Sequence, residues 1–123
     1  MRQPSLFGAT FQVKREKELK IYGLTDPRTD DIRYIGITLK DPEVRLRSHL
    51  DLNKPGSSAK KEWIRELREL DLKPEVRVLE RQEIIISDLG TDHPPHETKE
   101  IEKEWISKME KRGCDLTNSN FSD

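Results

Sequence analysis

Residues 20–49 read KIYGLTDPRTDDIRYIGITLKDPEVRLRSH, and this stretch decides the fold. Lys20–Thr25 and Arg33–Leu39 are rich in Ile, Tyr, Leu and Thr and alternate in polarity. That is the pattern of strands, whose successive side chains point to opposite faces. Between them, Asp26-Pro27-Arg28-Thr29-Asp30-Asp31 combines the fixed φ of Pro with Asp side chains that favour turns. Two strands around a turn predict a hairpin. The second strand runs into Asp41-Pro42-Glu43, an N-cap Asp followed by Pro at the first helical position. In the helix that follows, Arg45 and His49 stand four residues apart and share one face. A hairpin carrying Tyr22 and Tyr34 therefore feeds a helix carrying an Arg and a His.

Upstream, Met1–Glu18 reads as an arm: Leu6, Phe7, Phe11 and Val13 are apolar, but Pro4, Gly8 and the KREKE run argue against a long regular element. Residues 19–123 form the folded unit. The first helix is expected to bury Val44, Leu46 or His49, and Leu50. Asn53–Ser58 is a loop whose terminal Ser caps a second helix, Ala59 to about Leu72, with Trp63, Ile64, Leu67 and Leu70 as its apolar stripe. Pro74 precedes a third strand, Glu75–Glu80. Ile84-Ile85-Ile86 either extends that strand or begins a separate edge, and 88–96 is loop chemistry. A last helix runs from about Glu97 to Arg112, with Ile101, Trp105, Ile106 and Met109 on its apolar side and Gly113 placed to end it in the left-handed region. The order β-β-α-α-β-α predicts an α+β fold, a small three-stranded antiparallel sheet flanked by about three helices.

Composition sets the limits. A chain of 123 residues is one domain of ordinary size. No apolar run approaches a membrane span and no signal-peptide core stands at the N-terminus, so a cytoplasmic protein is expected. A single cysteine, Cys114, permits no internal disulfide and no multi-cysteine zinc site. His93 and His96 lack further ligands and read as loop residues. Net charge is −1, but Met1–Gln82 holds 18 Lys+Arg against 14 Asp+Glu and Glu83–Asp123 holds 5 against 10. Such asymmetry can keep a phosphate-facing surface apart from an acidic one, but on charge alone solvated helix faces are the preferred reading, and charge neither supports nor excludes DNA.

The hairpin and its helix resemble the start of a GIY-YIG nuclease domain. "KIY" (Lys20-Ile21-Tyr22) stands where the family has GIY, and "YIG" (Tyr34-Ile35-Gly36) is intact. Arg45 with His49 matches the family's R-x-x-x-H helix, E-x-x-W-I (Glu102–Ile106) its metal-ligand helix, and "LTN" (Leu116-Thr117-Asn118) its terminal Asn. Alone, each fragment reads blandly: strand tyrosines pack, an Arg/His pair lies on a solvated face, and Glu102 is one surface glutamate among Glu97, Glu100 and Glu104. The ordered combination over residues 19–118 carries the resemblance.

The resemblance implies a divalent-metal-dependent endonuclease acting on DNA, with Tyr22, Tyr34, Arg45, His49 and Glu102 as catalytic residues. Glu102 would hold one divalent ion, and a hard oxygen ligand suits Mg²⁺ or Mn²⁺. Arg45 would grip a phosphate with two fixed donors. Tyr22 would take a proton from water with Tyr34 orienting it, and His49 would relay a proton or position a phosphate. Lys20, Lys40, Arg47 and Asn118 are the expected nucleic-acid contacts. Two departures from the family pattern stand out: Lys20 replaces the first Gly of GIY, and Ile37 follows YIG where many members have a Lys. The alternatives are a non-catalytic nucleic-acid-binding module on the same fold and an RNA-cleaving variant. Nothing in the sequence looks like an appended zinc finger or helix-turn-helix. Finally, Gln3-Pro4-Ser5-Leu6-Phe7 is similar to the Q-x-[SD]-L-F peptide that docks repair proteins on the bacterial sliding clamp. Gln3, Leu6 and Phe7 would be its contacts, unless the arm packs back on the sheet.

Overall fold

A computed structural model of the chain describes residues 15–86 and 98–118. Its elements follow the expected order: β1 (Arg15–Thr25), β2 (Ile32–Thr38), α1 (Pro42–His49), α2 (Ser58–Glu69), β3 (Glu75–Ile86) and α3 (Lys99–Lys111). All three strands form one antiparallel sheet in the order β2-β1-β3. The fold is therefore α+β, as the sequence predicts.

Two boundaries moved, and together. β1 begins at Arg15, not Lys20, and β3 continues through Ile86. Each extension is the other's partner, with Arg15 opposite Ile86, Glu16 opposite Ile85 and Lys17 opposite Ile84. The KREKE charges argue against a strand only in isolation. In a two-stranded extension Glu16 is exposed and Glu18 pairs across the strands with Arg81 at 2.9 Å. Gln3, Leu6 and Phe7 of the arm, and His93 and His96, lie outside the described residues.

The central strand is buried on both faces. Leu19 and Ile21 pack with Ile35 against Ile106 and Met109 of α3, while Tyr22 and Leu24 pack with Leu46 of α1 and Trp63, Ile64 and Leu67 of α2. α1 and α2 thus cover one side of the sheet and α3 the other. Helix starts follow local chemistry. Asp41 accepts the Glu43 N–H at 3.0 Å, and Ser57, one residue before the expected cap, accepts that of Lys60. Two expected core residues are exposed instead: Val44 on α1, and Leu70, which follows the end of α2. Gly113 has φ +93 at the end of α3, as a left-handed terminator requires.

The Asp26–Asp31 turn is anchored from inside. Asp26 is buried, accepts from the Trp63 indole at 3.0 Å, and takes two guanidinium bonds and a backbone N–H from Arg28. The free edge of β2 is covered by the C-terminal segment. Thr117 Oγ1 donates to the Arg33 carbonyl at 2.8 Å, and both amide atoms of Asn118 engage the backbone of Ile35.

Candidate active site

β1, β2, α1 and α3 converge at two adjoining recesses of about 360 and 180 Å³, both walled by Tyr34, Arg45, Lys99 and Glu102. Strand register brings the tyrosines here. Tyr22 pairs with Gly36 and Leu24 with Tyr34, and facing partners point the same way. Both rings therefore lie on the α1/α2 side, 6.4 Å apart between centroids. The glycine of YIG is what allows this: a β-carbon on Gly36 would come within 2.5 Å of the Tyr22 ring and hydroxyl.

α1 then delivers His49 onto the tyrosines. The Tyr22 hydroxyl and His49 Nε2 are 2.8 Å apart, and the His49 ring meets Tyr34 edge-on at 4.7 Å. One turn earlier, Arg45 lines both recesses. On the other imidazole edge, Nδ1 lies 2.8 Å from Lys60 Nζ. Tyr22, His49 and Lys60 form one buried row.

Burial dominates the electrostatics of this row. It pushes the Tyr22 phenol up to about 12, with Arg45 acting against the rise and Glu102 adding to it. Burial also raises Tyr34 and drives His49 down to about 3, the latter helped by the Lys60 and Arg45 charges. His49 is neutral at pH 7. Lys60 is lowered by burial and by Arg45.

Glu102 arrives from the opposite face of the sheet. Among the glutamates of α3 it is the buried one; Glu100, Glu104 and Glu110 are exposed. Burial raises its carboxyl, Lys99 pulls it back, and Lys99 Nζ stands 3.8 Å from Oε1. No cluster of three or more His, Cys, Asp or Glu exists among the described residues. The site thus offers a metal one hard carboxylate beside an open recess. That donor set fits an ion that keeps several waters and takes substrate phosphate oxygens as further ligands, as Mg²⁺ does.

The remaining expected contacts are dispersed. Lys20 donates to the Leu39 carbonyl at 3.3 Å, and neither it nor the exposed Lys40 and Arg47 lines either recess. Asn118 lines the larger recess, but its amide is held by Ile35. Sequence reading missed Lys54, Lys60, Lys61 and Lys99, which with Arg45 set five cations against Asp51 and Glu102 along the larger cleft. Here lies the basic surface that a net charge of −1 conceals. For Lys60 a signal existed: positions 60, 63, 64 and 67 share the buried face of α2. A lysine on an apolar stripe needs a reason.

A family model described as the GIY-YIG catalytic domain matches residues 19–115, most of the chain, ending just short of Leu116-Thr117-Asn118. No curated protein and no solved structure matches.

Proposed function

Because the chain belongs to the GIY-YIG catalytic-domain family, we propose that it is an endonuclease that hydrolyses DNA phosphodiester bonds with one divalent ion, Mg²⁺ or Mn²⁺. The domain implies nuclease activity on nucleic acid, and nucleases of this family typically use divalent metals. One observation carries the finer reading: Tyr22, Tyr34, Arg45, His49 and Glu102, separated by as much as 80 positions in sequence, wall two adjoining recesses.

In this reading Glu102 holds the ion. Polarisation of the scissile phosphate and neutralisation of the leaving oxygen are the chemistry a bound divalent ion supplies. Arg45 grips the phosphate and takes up transition-state charge. Tyr22, once its phenol proton has left to solvent through the open recess, is the phenolate base toward the attacking water, with His49 at its back, and Tyr34 orients that water. Lys54, Lys61 and Lys99 guide the backbone into the cleft. A non-catalytic binder would gain nothing from a buried carboxylate among these cations, because desolvating Glu102 costs stability and repels phosphate. No described helix is long and apolar enough to cross a membrane.

Supercoiled, branched and single-stranded DNA, and RNA, incubated with Mg²⁺ or Mn²⁺ and with chelator, test this reading. Cleavage of DNA that chelator abolishes supports it; binding without cleavage returns the non-catalytic module, and cleavage of RNA alone returns the RNA variant.

The N-terminal peptide belongs to the same proposal. Leu6 and Phe7 fill an apolar pocket of a sliding clamp while Gln3 bonds its rim, raising the local DNA concentration around the domain. Titrating a bacterial clamp with peptide 1–10 and its Leu6→Ala, Phe7→Ala form decides this. No binding, or equal binding by both, removes the idea.

A further inference from the structure

Lys60 is a cation in an unusual place. It stands on the buried face of α2 with Trp63, Ile64 and Leu67, and its side chain runs into the site, where only 7 % of the residue remains exposed. The nitrogen lies 2.8 Å from His49 Nδ1 and 5.1 Å from the centre of the Tyr34 ring. Among the described residues no carboxylate lies within ion-pair distance of it. Gly56 makes the room: a β-carbon there would stand 3.1 Å from Lys60 Nζ. Placement over an aromatic face suits an ammonium, and so does the wall of a cleft open to solvent.

Hydrogen counting then fixes the direction of the row. A neutral imidazole has one N–H and one lone pair, whereas an ammonium has three donors and no acceptor. His49 has a close partner on each nitrogen. If Lys60 donates to Nδ1, the imidazole hydrogen must sit on Nε2, and the Tyr22 oxygen must accept it. We propose that Lys60 is a positioning residue that acts through His49: its ammonium fixes the Nε2–H tautomer and thereby presents the Tyr22 oxygen with a hydrogen-bond donor.

This rests on the nuclease reading for its purpose. A phenolate accepts hydrogen bonds and donates none, so a base at Tyr22 is favoured by a donor at its back. With Nε2 already protonated, His49 cannot take the Tyr22 proton and is no relay. The phenol hydrogen is free to turn toward the smaller recess, which Tyr22 lines with Arg45 and Glu102. The opposite arrangement, Nδ1–H toward an uncharged Lys60, would have Tyr22 donate to His49 and would tie up the phenol hydrogen.

The test is the His49 tautomer, read by long-range ¹H–¹⁵N correlation on the whole protein at neutral pH without metal or DNA, with His49→Gln to assign the signals. Wild type is expected to show a protonated Nε2 and an unprotonated Nδ1. Lys60→Met should give a mixture of tautomers, and Lys60→Arg, which still donates, should restore the wild-type pattern. Turnover should fall about 10–100-fold in Lys60→Met and recover in Lys60→Arg. A wild-type His49 protonated on Nδ1, an unchanged pattern in Lys60→Met, or a loss confined to KM would overturn the proposal. If Lys60→Met does not fold, the wild-type tautomer decides alone. A nuclease-negative wild type with the Nε2–H tautomer would overturn the enzymatic purpose and leave the assigned hydrogen bonds standing.

Discussion

Gly36 lies directly across the hairpin from Tyr22, so close that a β-carbon on it would sit 2.5 Å from the phenol oxygen. The two motif residues are therefore one device: the glycine gives up its side chain so that the tyrosine can lie flat across β2 and reach His49. Gly36→Ala should swing the ring aside, break the 2.8 Å contact with His49 and destabilise the domain by about 1–3 kcal/mol, the range for overpacking a buried site. Turnover should fall at least as far as in Tyr22→Phe. Thermal unfolding and cleavage rates measured together check this; a fully active, equally stable Gly36→Ala protein would show that the ring needs no such space.

Removing the Tyr22 hydroxyl should abolish cleavage at small cost in stability. Tyr22→Phe keeps the packing against α1 and α2 and loses one buried hydrogen bond, worth roughly 1 kcal/mol. Arg45→Lys separates charge from geometry: DNA binding should hold while turnover drops, because the planar fork is lost. Normal cleavage by Tyr22→Phe would mean that another group activates the water.

Asn118 divides between two tasks that a single variant tells apart. Its amide makes two bonds to the backbone of Ile35, at 2.9 and 2.7 Å, next to the tyrosine that lines both recesses. If this tie is its work, Asn118→Ala should cost about 1–3 kcal/mol, with KM for DNA near wild type. A large rise in KM with unchanged stability would instead make it a nucleic-acid contact.

Acid should unfold the protein in two stages. His49 has its folded pKa depressed to about 3, chiefly by burial, against about 6.5 in the unfolded chain. Between those values the unfolded state binds a proton that the folded state does not, so stability falls as pH falls, by at most about 1.4 kcal/mol per pH unit. Asp26 is held well below the usual carboxylate range, first by hydrogen bonds from Arg28 and then by the Trp63 indole. Its contribution is present above about 3.9 and is lost as pH drops through the lower folded value. Urea unfolding across pH should show His49→Gln flattening the limb between about 6.5 and 4, and Asp26→Asn flattening only the part below it. If His49→Gln tracks the wild-type slope, the imidazole is not buried neutral.

The parts of this fold that sequence made legible are those set by local chemistry. Asp41-Pro42 announced α1, Gly113 ended α3, and the alternation around Tyr22 and Tyr34 announced the hairpin. What escaped depends on contacts far along the chain. The strand character of Arg15–Glu18 comes from pairing with residues 83–86. The burial of Asp26 comes from Trp63, 37 residues away, so a turn aspartate looked ordinary. Leu70 completes the α2 stripe on paper, but α2 ends at Glu69 and the leucine stays exposed. Lys60 shares the buried face of α2 with Trp63, Ile64 and Leu67, but the imidazole it meets lies 11 residues earlier, on another helix. Glu102, one glutamate among several in sequence, is separated from its neighbours by burial.

That buried carboxylate is where the account is most exposed to test. The decisive measurement is nicking of supercoiled plasmid by wild type and by Glu102→Ala, each with Mg²⁺ or Mn²⁺ and with chelator, alongside circular dichroism to confirm both are folded. Wild type should cut only with the divalent ion, and folded Glu102→Ala should not cut above background, since several kcal/mol of transition-state stabilisation leave with the ligand. Cleavage by Glu102→Ala at the wild-type rate would contradict the assignment of Glu102 and, with it, the metal-dependent mechanism.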